Sequence, residues 1–268
     1  MSRRAECGSL RDVNLALKRS VPKVAILTSA SGVYKAYIPL FKYCAQRAYP
    51  NYTIEIMLPP DGMPKYAAAS YRHLATVTGN YDYVWITDID IMVMEESVDL
   101  LSFHLREMKQ SGLPYSNAIM GRCRDHHKRL RGLNFVNAQW YAKTLNARRK
   151  YMHKLAAGEI GHGHYDDEMA IRSVVEESGL KVSRNYSPGQ VRHHGIHLGE
   201  IRKRKDKGDA VIFKRLSAMI KPEFYRQWNH VSEHPVFKRM VAEAGEEYHE
   251  IPYQVDTVSR FIRRQLRG

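Results

Sequence analysis

The stretch Tyr81-Asp-Tyr-Val-Trp-Ile-Thr-Asp-Ile-Asp-Ile-Met-Val-Met94 constrains this chain more than any other, because an apolar strand there runs into two acids one residue apart. Val84, Trp85 and Ile86 are apolar enough for a strand buried on both faces. In an extended chain Asp88 and Asp90 share one parity, so both carboxylates project to one side while Ile89 and Ile91 turn into packing. Leaving two carboxylates unpaired at the end of a buried strand is costly. A divalent cation with oxygen ligands that also bridges a diphosphate is the economical partner. The plainer alternative is an acidic strand end facing water.

The segments before this strand alternate in type. Lys23 to Thr28 reads as a first buried strand, and Ser29 to Gly32 as a small-residue loop that lets a ligand approach closely. Tyr34, Tyr37, Ile38, Phe41, Cys44 and Ala45 recur at helical spacing, with Pro39 starting or kinking the helix. A second strand over Tyr52 to Leu58 closes on Pro59-Pro60-Asp61-Gly62, and a helix over Lys65 to Ala75 leads to the acid strand. This series predicts an α/β fold with a mixed, mainly parallel sheet flanked by helices. Ligands gather at the carboxyl ends of such strands, where Thr28, Ser29, Ala30 and the Asp88-Ile89-Asp90 triplet all fall. Further on, helices are expected at 98–108, within 134–157 and at 169–178, with short strands at 117–120 and 181–183. The segment 122–131 is too polar for a core and reads as a mobile basic loop near the site. Beyond residue 203 the pattern turns basic and amphipathic, with helices at 210–219, 222–228, 235–244 and 256–267.

The boundaries follow from this: a lead-in over 1–22, a catalytic domain over 23–200, and a basic, mainly helical extension over 201–268 packed on the same domain. With 44% hydrophobic and 26% charged residues among 268, the chain reads as soluble and globular. No apolar run reaches the ~20 residues of a membrane span, and the first residues lack a secretory signal's apolar core. Cys7, Cys44 and Cys123 fit neither a zinc spacing nor a disulfide framework, which points to the cytoplasm. A formal net charge of +14 implies anionic partners without choosing among them.

Two other clusters carry titratable groups. Gly158-Glu-Ile-Gly-His-Gly-His-Tyr-Asp-Asp-Glu168 sets three acids before a helix, where Asp166 serves either as a cap or, turned inward, as a general base. Val191-Arg-His-His-Gly-Ile-His-Leu-Gly199 holds three histidines, and Gly195 permits a turn that returns His197 toward the others. One imidazole joining the two aspartates completes a coordination set; a basic surface turn is the alternative. Arg72, on the helix before the acid strand, is either a solvated cation or one that reaches a diphosphate.

In this order the motifs resemble the GT-A class of nucleotide-sugar-dependent glycosyltransferases, over roughly residues 23–200. The carriers are Val24-Ala-Ile-Leu-Thr28, Tyr71-Arg-His-Leu74, the DxD-like Tyr83-Val-Trp-Ile-Thr-Asp-Ile-Asp90, Asn134-Phe-Val-Asn-Ala138 and the late histidines. Gln139 stands where the glycogenin-like Asn-Ala-Gly element has glycine, and Tyr165 where the acidic loop of inverting members usually has Glu. The resemblance implies a Rossmann-like GT-A fold and transfer of a sugar from a nucleoside diphosphate sugar, uridine diphosphate above all, to a glycan or lipid-linked acceptor. It implies donor contacts from Thr28, Ser29, Ala30, Arg72, Asp88, Ile89 and Asp90. Manganese or magnesium would be held by Asp88, Asp90 and a late histidine, His197 or His194. Asp167 or Asp166 would be the base of an inverting reaction. A peripheral contact of the basic extension with an anionic membrane would suit a lipid-linked acceptor. Two rivals remain: a nucleotidyltransferase, which also presents acids to a metal, and a basic nucleic-acid-binding protein. The second lacks any recognised binding motif, so no nucleic-acid partner is expected.

Overall fold

In the computed structural model, the described residues are 21–63, 65–117, 119–120, 129–160, 163, 166–183, 186–187, 193–202 and 205–267. The expected lead-in lies almost wholly outside them, as do residues 122–128 of the basic segment.

The first half follows the alternation read from the sequence. β1 (Val24–Ser29) is followed by a 3-10 turn over Gly32–Tyr37 and α1 (Ile38–Ala48), and Pro39 sits in the first turn of α1, where its missing N–H costs nothing. β2 (Thr53–Met57), α2 (Lys65–Leu74) and β3 (Tyr83–Ile86) complete the series, and β4 (Ile91–Val93) follows the aspartates. Then come α3 (Leu100–Ser111), β5 (Tyr115–Ser116), β6 (Ile119–Met120), β7 (Asn134–Asn137), α4 (Ala138–Ala156), α5 (Asp166–Glu177), β8 (Tyr186–Ser187), β9 (Gly195–His197) and α6 (Gly199–Arg202). Four helices close the chain: α7 (Asp209–Met219), α8 (Glu223–Glu233), α9 (Pro235–Glu247) and α10 (Glu250–Arg267).

The central sheet runs β2-β1-β3-β7-β5. β1 pairs parallel with β2 and β3, whereas β7 pairs antiparallel with β3 and β5, so the sheet is mixed. Alternation along the strands divides the core in two. Val24, Ile26, Trp85 and Phe135 point to one face, against α1 and the C-terminal helices. Ala25, Leu27, Val84, Ile86 and Val136 point to the other, against α2, α4 and α5. The first of these clusters is continuous from Val24 to Ile262, so the late helices share a core with the first strand.

Two local readings are corrected. Residues 181–183 form no strand, because their polar groups are taken by side chains: Tyr115 Oη donates to the Lys181 carbonyl and accepts from Ser183 N, and Ser183 Oγ donates to the Asn117 carbonyl. Arg129 and Arg131, expected in a mobile loop, are buried. Asn117 holds that segment by its backbone, accepting from Arg131 N (3.0 Å) and donating to the Arg131 (2.9 Å) and Leu133 (3.1 Å) carbonyls.

The amphipathic pattern of α10 is spent inside the molecule. Ile251, Val255, Val258, Phe261 and Ile262 are buried in the first core cluster. On its polar side, Arg260 pairs with Asp209 and Asp256, and Arg263 with Glu233 and Asp256. Among the described residues, no helix is long and apolar enough to cross a membrane.

A buried polar chain ties the extension to β4. Glu96, just past β4, accepts from His194 Nδ1 at 2.8 Å and from Lys221, at the start of α8. His194 Nε2 meets His104 Nε2 at 3.0 Å, and His104 Nδ1 meets Ser116 Oγ at 3.0 Å. Burial works against the Glu96 charge, but His194 and Lys221 outweigh it and hold the carboxyl down at about 2. The unfolded chain therefore binds this proton first, so the stabilisation is complete above the ordinary carboxylate range and is lost as pH falls toward about 2. Glu96→Gln should cost about 1–3 kcal/mol at neutral pH by leaving buried partners poorly matched. Urea unfolding at pH 7 and pH 3 should show the gap between variant and wild type narrowing in acid.

Candidate active site

β3 stops at Ile86, and residues 87–90 turn before β4 begins, with Ile91 N donating to the Asp88 carbonyl at 3.3 Å. The two aspartates thus converge through a turn rather than through strand parity. Ile89, between them, is buried in the core.

His197 arrives by strand pairing rather than by a turn at Gly195. β9 lies antiparallel to β4 with Ile91 opposite His197, and the Leu198 N–H donates to the Asp90 carbonyl at 2.9 Å. This register sets His197 Nε2 3.1 Å from Asp90 Oδ1. One ligand atom each from Asp88, Asp90 and His197 lies within 4.8 Å of the others. Two glycines make the approach possible: a Cβ on Gly195 would collide with the Met92 carbonyl, and one on Gly199 with the Asp90 carboxylate. Burial opposes protonation of His197, yet Asp90, with Asp88 behind it, prevails and raises the imidazole above its usual range.

The donor set of two carboxylates and one imidazole suits a divalent cation. Gly199 keeps a side chain away from the Asp90 carboxylate and the His197 Nε2, which is consistent with that use. His194 stands elsewhere, in the Glu96 and His104 chain, with a positive φ of 51°.

Arg72 is buried at 5% exposure and does not point freely outward. Its Nη2 lies 2.6 Å from Asp88 and 3.4 Å from Asp167, and its Nε donates to His73 Nε2 at 3.1 Å. Burial and the neighbouring guanidinium keep His73 neutral, so its lone pair is available to accept. Asp167 is thereby joined to Asp88 through one cation. Burial raises the Asp167 carboxyl, Arg72 works against that rise and Asp88 adds to it. Asp166 turns the other way and accepts from Gly163 N at 2.8 Å.

At the carboxyl end of β1, Thr28, Ser29 and Ala30 are buried. Ser29 Oγ donates to the Ala68 carbonyl and Ala30 N to the Met57 carbonyl, so both are engaged in the fold. The Thr28 hydroxyl has no hydrogen-bond partner among the described residues. Asn137 caps α4 through Trp140 N, which gives the Asn134–Ala138 element a structural duty.

Several residues join the site that the sequence reading did not single out. Glu168 pairs with Arg129 at 3.0 Å. The Tyr34 and Tyr37 rings lie against Tyr248, from the turn between α9 and α10. The Arg202 guanidinium stands 5.1 Å over Tyr34 and donates to Tyr248 Oη at 3.4 Å. Burial first, then the Asp90 charge, pushes the Tyr34 hydroxyl up to about 12, so this wall lies within the field of Asp90.

No family model matches the sequence, and no curated protein matches it. Among solved structures the chain is similar to a glycosyltransferase involved in the glycosylation of the major capsid of PBCV-1, with TM-score 0.43 and 14% identity, over 62% of this chain and 80% of that one. It is also similar to the apo-form glycosyltransferase GlyE of Streptococcus pneumoniae TIGR4, with TM-score 0.41 and 12% identity, over 90% of this chain and 64% of that one.

Two outcomes follow from the geometry. Gly199→Ala should displace the Asp90 carboxylate and, with manganese as a probe of the Asp88, Asp90 and His197 set, weaken cation binding by about tenfold or more in electron paramagnetic resonance, with the circular dichroism spectrum unchanged. Burial, then Asp167, pushes Glu168 from 4.5 up to about 7 against the pull of Arg129. The unfolded chain releases this proton first, so stability falls as pH rises from 4.5 to about 7 and levels off above. Glu168→Gln should remove that slope from a series of urea unfolding curves.

Proposed function

We propose that this chain is a metal-dependent glycosyltransferase that moves a sugar from a nucleoside diphosphate sugar, uridine diphosphate above all, to a hydroxyl of a glycan or lipid-linked acceptor. The observation that carries the reading is the convergence of Asp88, Asp90 and His197 at the carboxyl end of a central strand. That is where an open α/β sheet receives its ligand.

In this reading Asp88, Asp90 and His197 hold manganese or magnesium. Bound there, the ion would offset the negative charge that builds on the departing diphosphate. Arg72 acts as a positioning residue: its guanidinium is occupied by Asp88 and Asp167, so it fixes the angle of both carboxylates. Arg202, bonded to a phenol rather than to a carboxylate, keeps its charge available on the Asp90 side.

Asp167 serves as the base in this scheme. Its carboxyl retains some exposure and its affinity for a proton is raised, both of which suit removal of a proton from an acceptor hydroxyl. Attack from that side, opposite the departing diphosphate, inverts the anomeric centre. Asp166 supports the loop through Gly163.

A panel of nucleoside diphosphate sugars with manganese, scored for release of nucleoside diphosphate, tests the donor class without an acceptor. Release should stop with EDTA and in Asp90→Ala, and that variant should also lose its manganese signal. Asp167→Asn should lower kcat by about a hundredfold or more with KM nearly unchanged, because a positioned base contributes that much to the step and little to binding. Wild-type turnover in a folded Asp167→Asn protein would reject the base, and a retained anomer by NMR would reject inversion.

A further inference from the structure

Arg131 presents a buried charge that makes no direct ion pair among the described residues. It is 8% exposed, its Nε is buried without a hydrogen-bond partner, and no carboxylate among the described residues lies within ion-pair distance of it. A buried guanidinium nitrogen without a partner is costly for a fold to retain. Every other buried arginine with a described role here is engaged. Arg72 meets two aspartates, Arg129 meets Glu168, and Arg148 donates to the carbonyls of Leu74, Ala75 and Tyr141.

The position of Arg131 is also set with care. Asn117 grips its N–H and its carbonyl, so the backbone is fixed before any ligand arrives. The next residue, Gly132, abuts the Asp167 and Arg72 pair: a Cβ there would stand 3.1 Å from Asp167 Oδ2 and 3.2 Å from Arg72 Nη2. On one side Arg131 lies within the electrostatic reach of Glu168, and on the other within that of His193. The His193 ring is 5.0 Å from the His197 ring, and its Nδ1 is likewise buried without a partner among the described residues. Arg131 is therefore next in the chain to the contact with Asp167 and Arg72, and its charge is felt by both Glu168 and His193.

We propose that Arg131, with His193 beside it, is a subsite for an oxyanion carried by a sugar substrate, so that the enzyme acts on an acidic or phosphorylated sugar. A planar fork of donors fits a carboxylate or a phosphate in two bonds. On the glycosyltransferase reading, a sugar held at the Asp88, Asp90 and His197 set would come close to the segment that carries Arg131, because Gly132 abuts the Asp167 and Arg72 pair. That the oxyanion belongs to a sugar rests on the glycosyltransferase reading; that Arg131 awaits an anion does not.

The test uses the full chain and Arg131→Met, which keeps the stem and removes the charge. Without divalent ion, calorimetry compares glucuronate and glucose 6-phosphate with glucose; with manganese, it compares uridine diphosphate glucuronate with uridine diphosphate glucose. Wild type should prefer the charged member of at least one set by about tenfold, and Arg131→Met should abolish that preference. A preference confined to the nucleotide set assigns the anion to the donor, and one confined to the free sugars assigns it to the acceptor. The ligand-free Arg131→Met protein should melt no lower than wild type, because a costly unpaired charge has been removed. A lower melting temperature, an unfolded variant or no preference in wild type would overturn the proposal. So would an equal loss of affinity for uridine diphosphate itself, which would make Arg131 part of the diphosphate site. Preference for the charged free sugars without any nucleoside diphosphate release would instead uphold the subsite and reject the glycosyltransferase reading.

Discussion

The pairing of β4 with β9 is the constraint on which the rest of the site depends. Its register places His197 beside Asp90. Moving it by one residue would turn His197 to the other face and bring Ile196 to the aspartates. The register is held by three separate features: the Leu198 to Asp90 backbone bond, the close approach that Gly195 permits, and the buried chain from His194 through Glu96 to Lys221. The last of these reaches into the C-terminal helices. The basic C-terminal helices thus help fix where His197 stands beside Asp90.

Charge at the site is organised as a series rather than as isolated pairs. Asp88, Arg72, Asp167, Glu168 and Arg129 follow one another at contact distance or as chain neighbours. Burial raises the proton affinity of Asp167 and of Glu168, while the arginines limit the rise. Such a series costs desolvation energy, and a fold that retains it gains control over where protons and anions rest.

Much of the framework was legible in the sequence because it depends on local order. The strand and helix periods of residues 23–86 reappear with small shifts in their ends, and the Asp88 and Asp90 pair was visible as acids ending an apolar run. What was not legible depends on distant partners. His197 and His194 look alike in sequence, and only the pairing with β4 separates the one that faces Asp90 from the one that faces Glu96. Arg129 and Arg131 read as solvated cations because Glu168 and Asn117, which account for their burial, lie far off in the chain. The amphipathic α10 suggested a surface for something outside, whereas its apolar side completes the same core as β1.

The same β4 and β9 pairing gives the chain an order of events. β4 emerges from the ribosome with the first half of the protein, and its partner only with the second, so Ile91, Met92 and Val93 wait without the strand that will cover them. Closing so long an interval is slow relative to forming the helices around it. The aspartates are made early and their histidine late, so a nascent chain holds an acidic turn before it holds the imidazole that faces it.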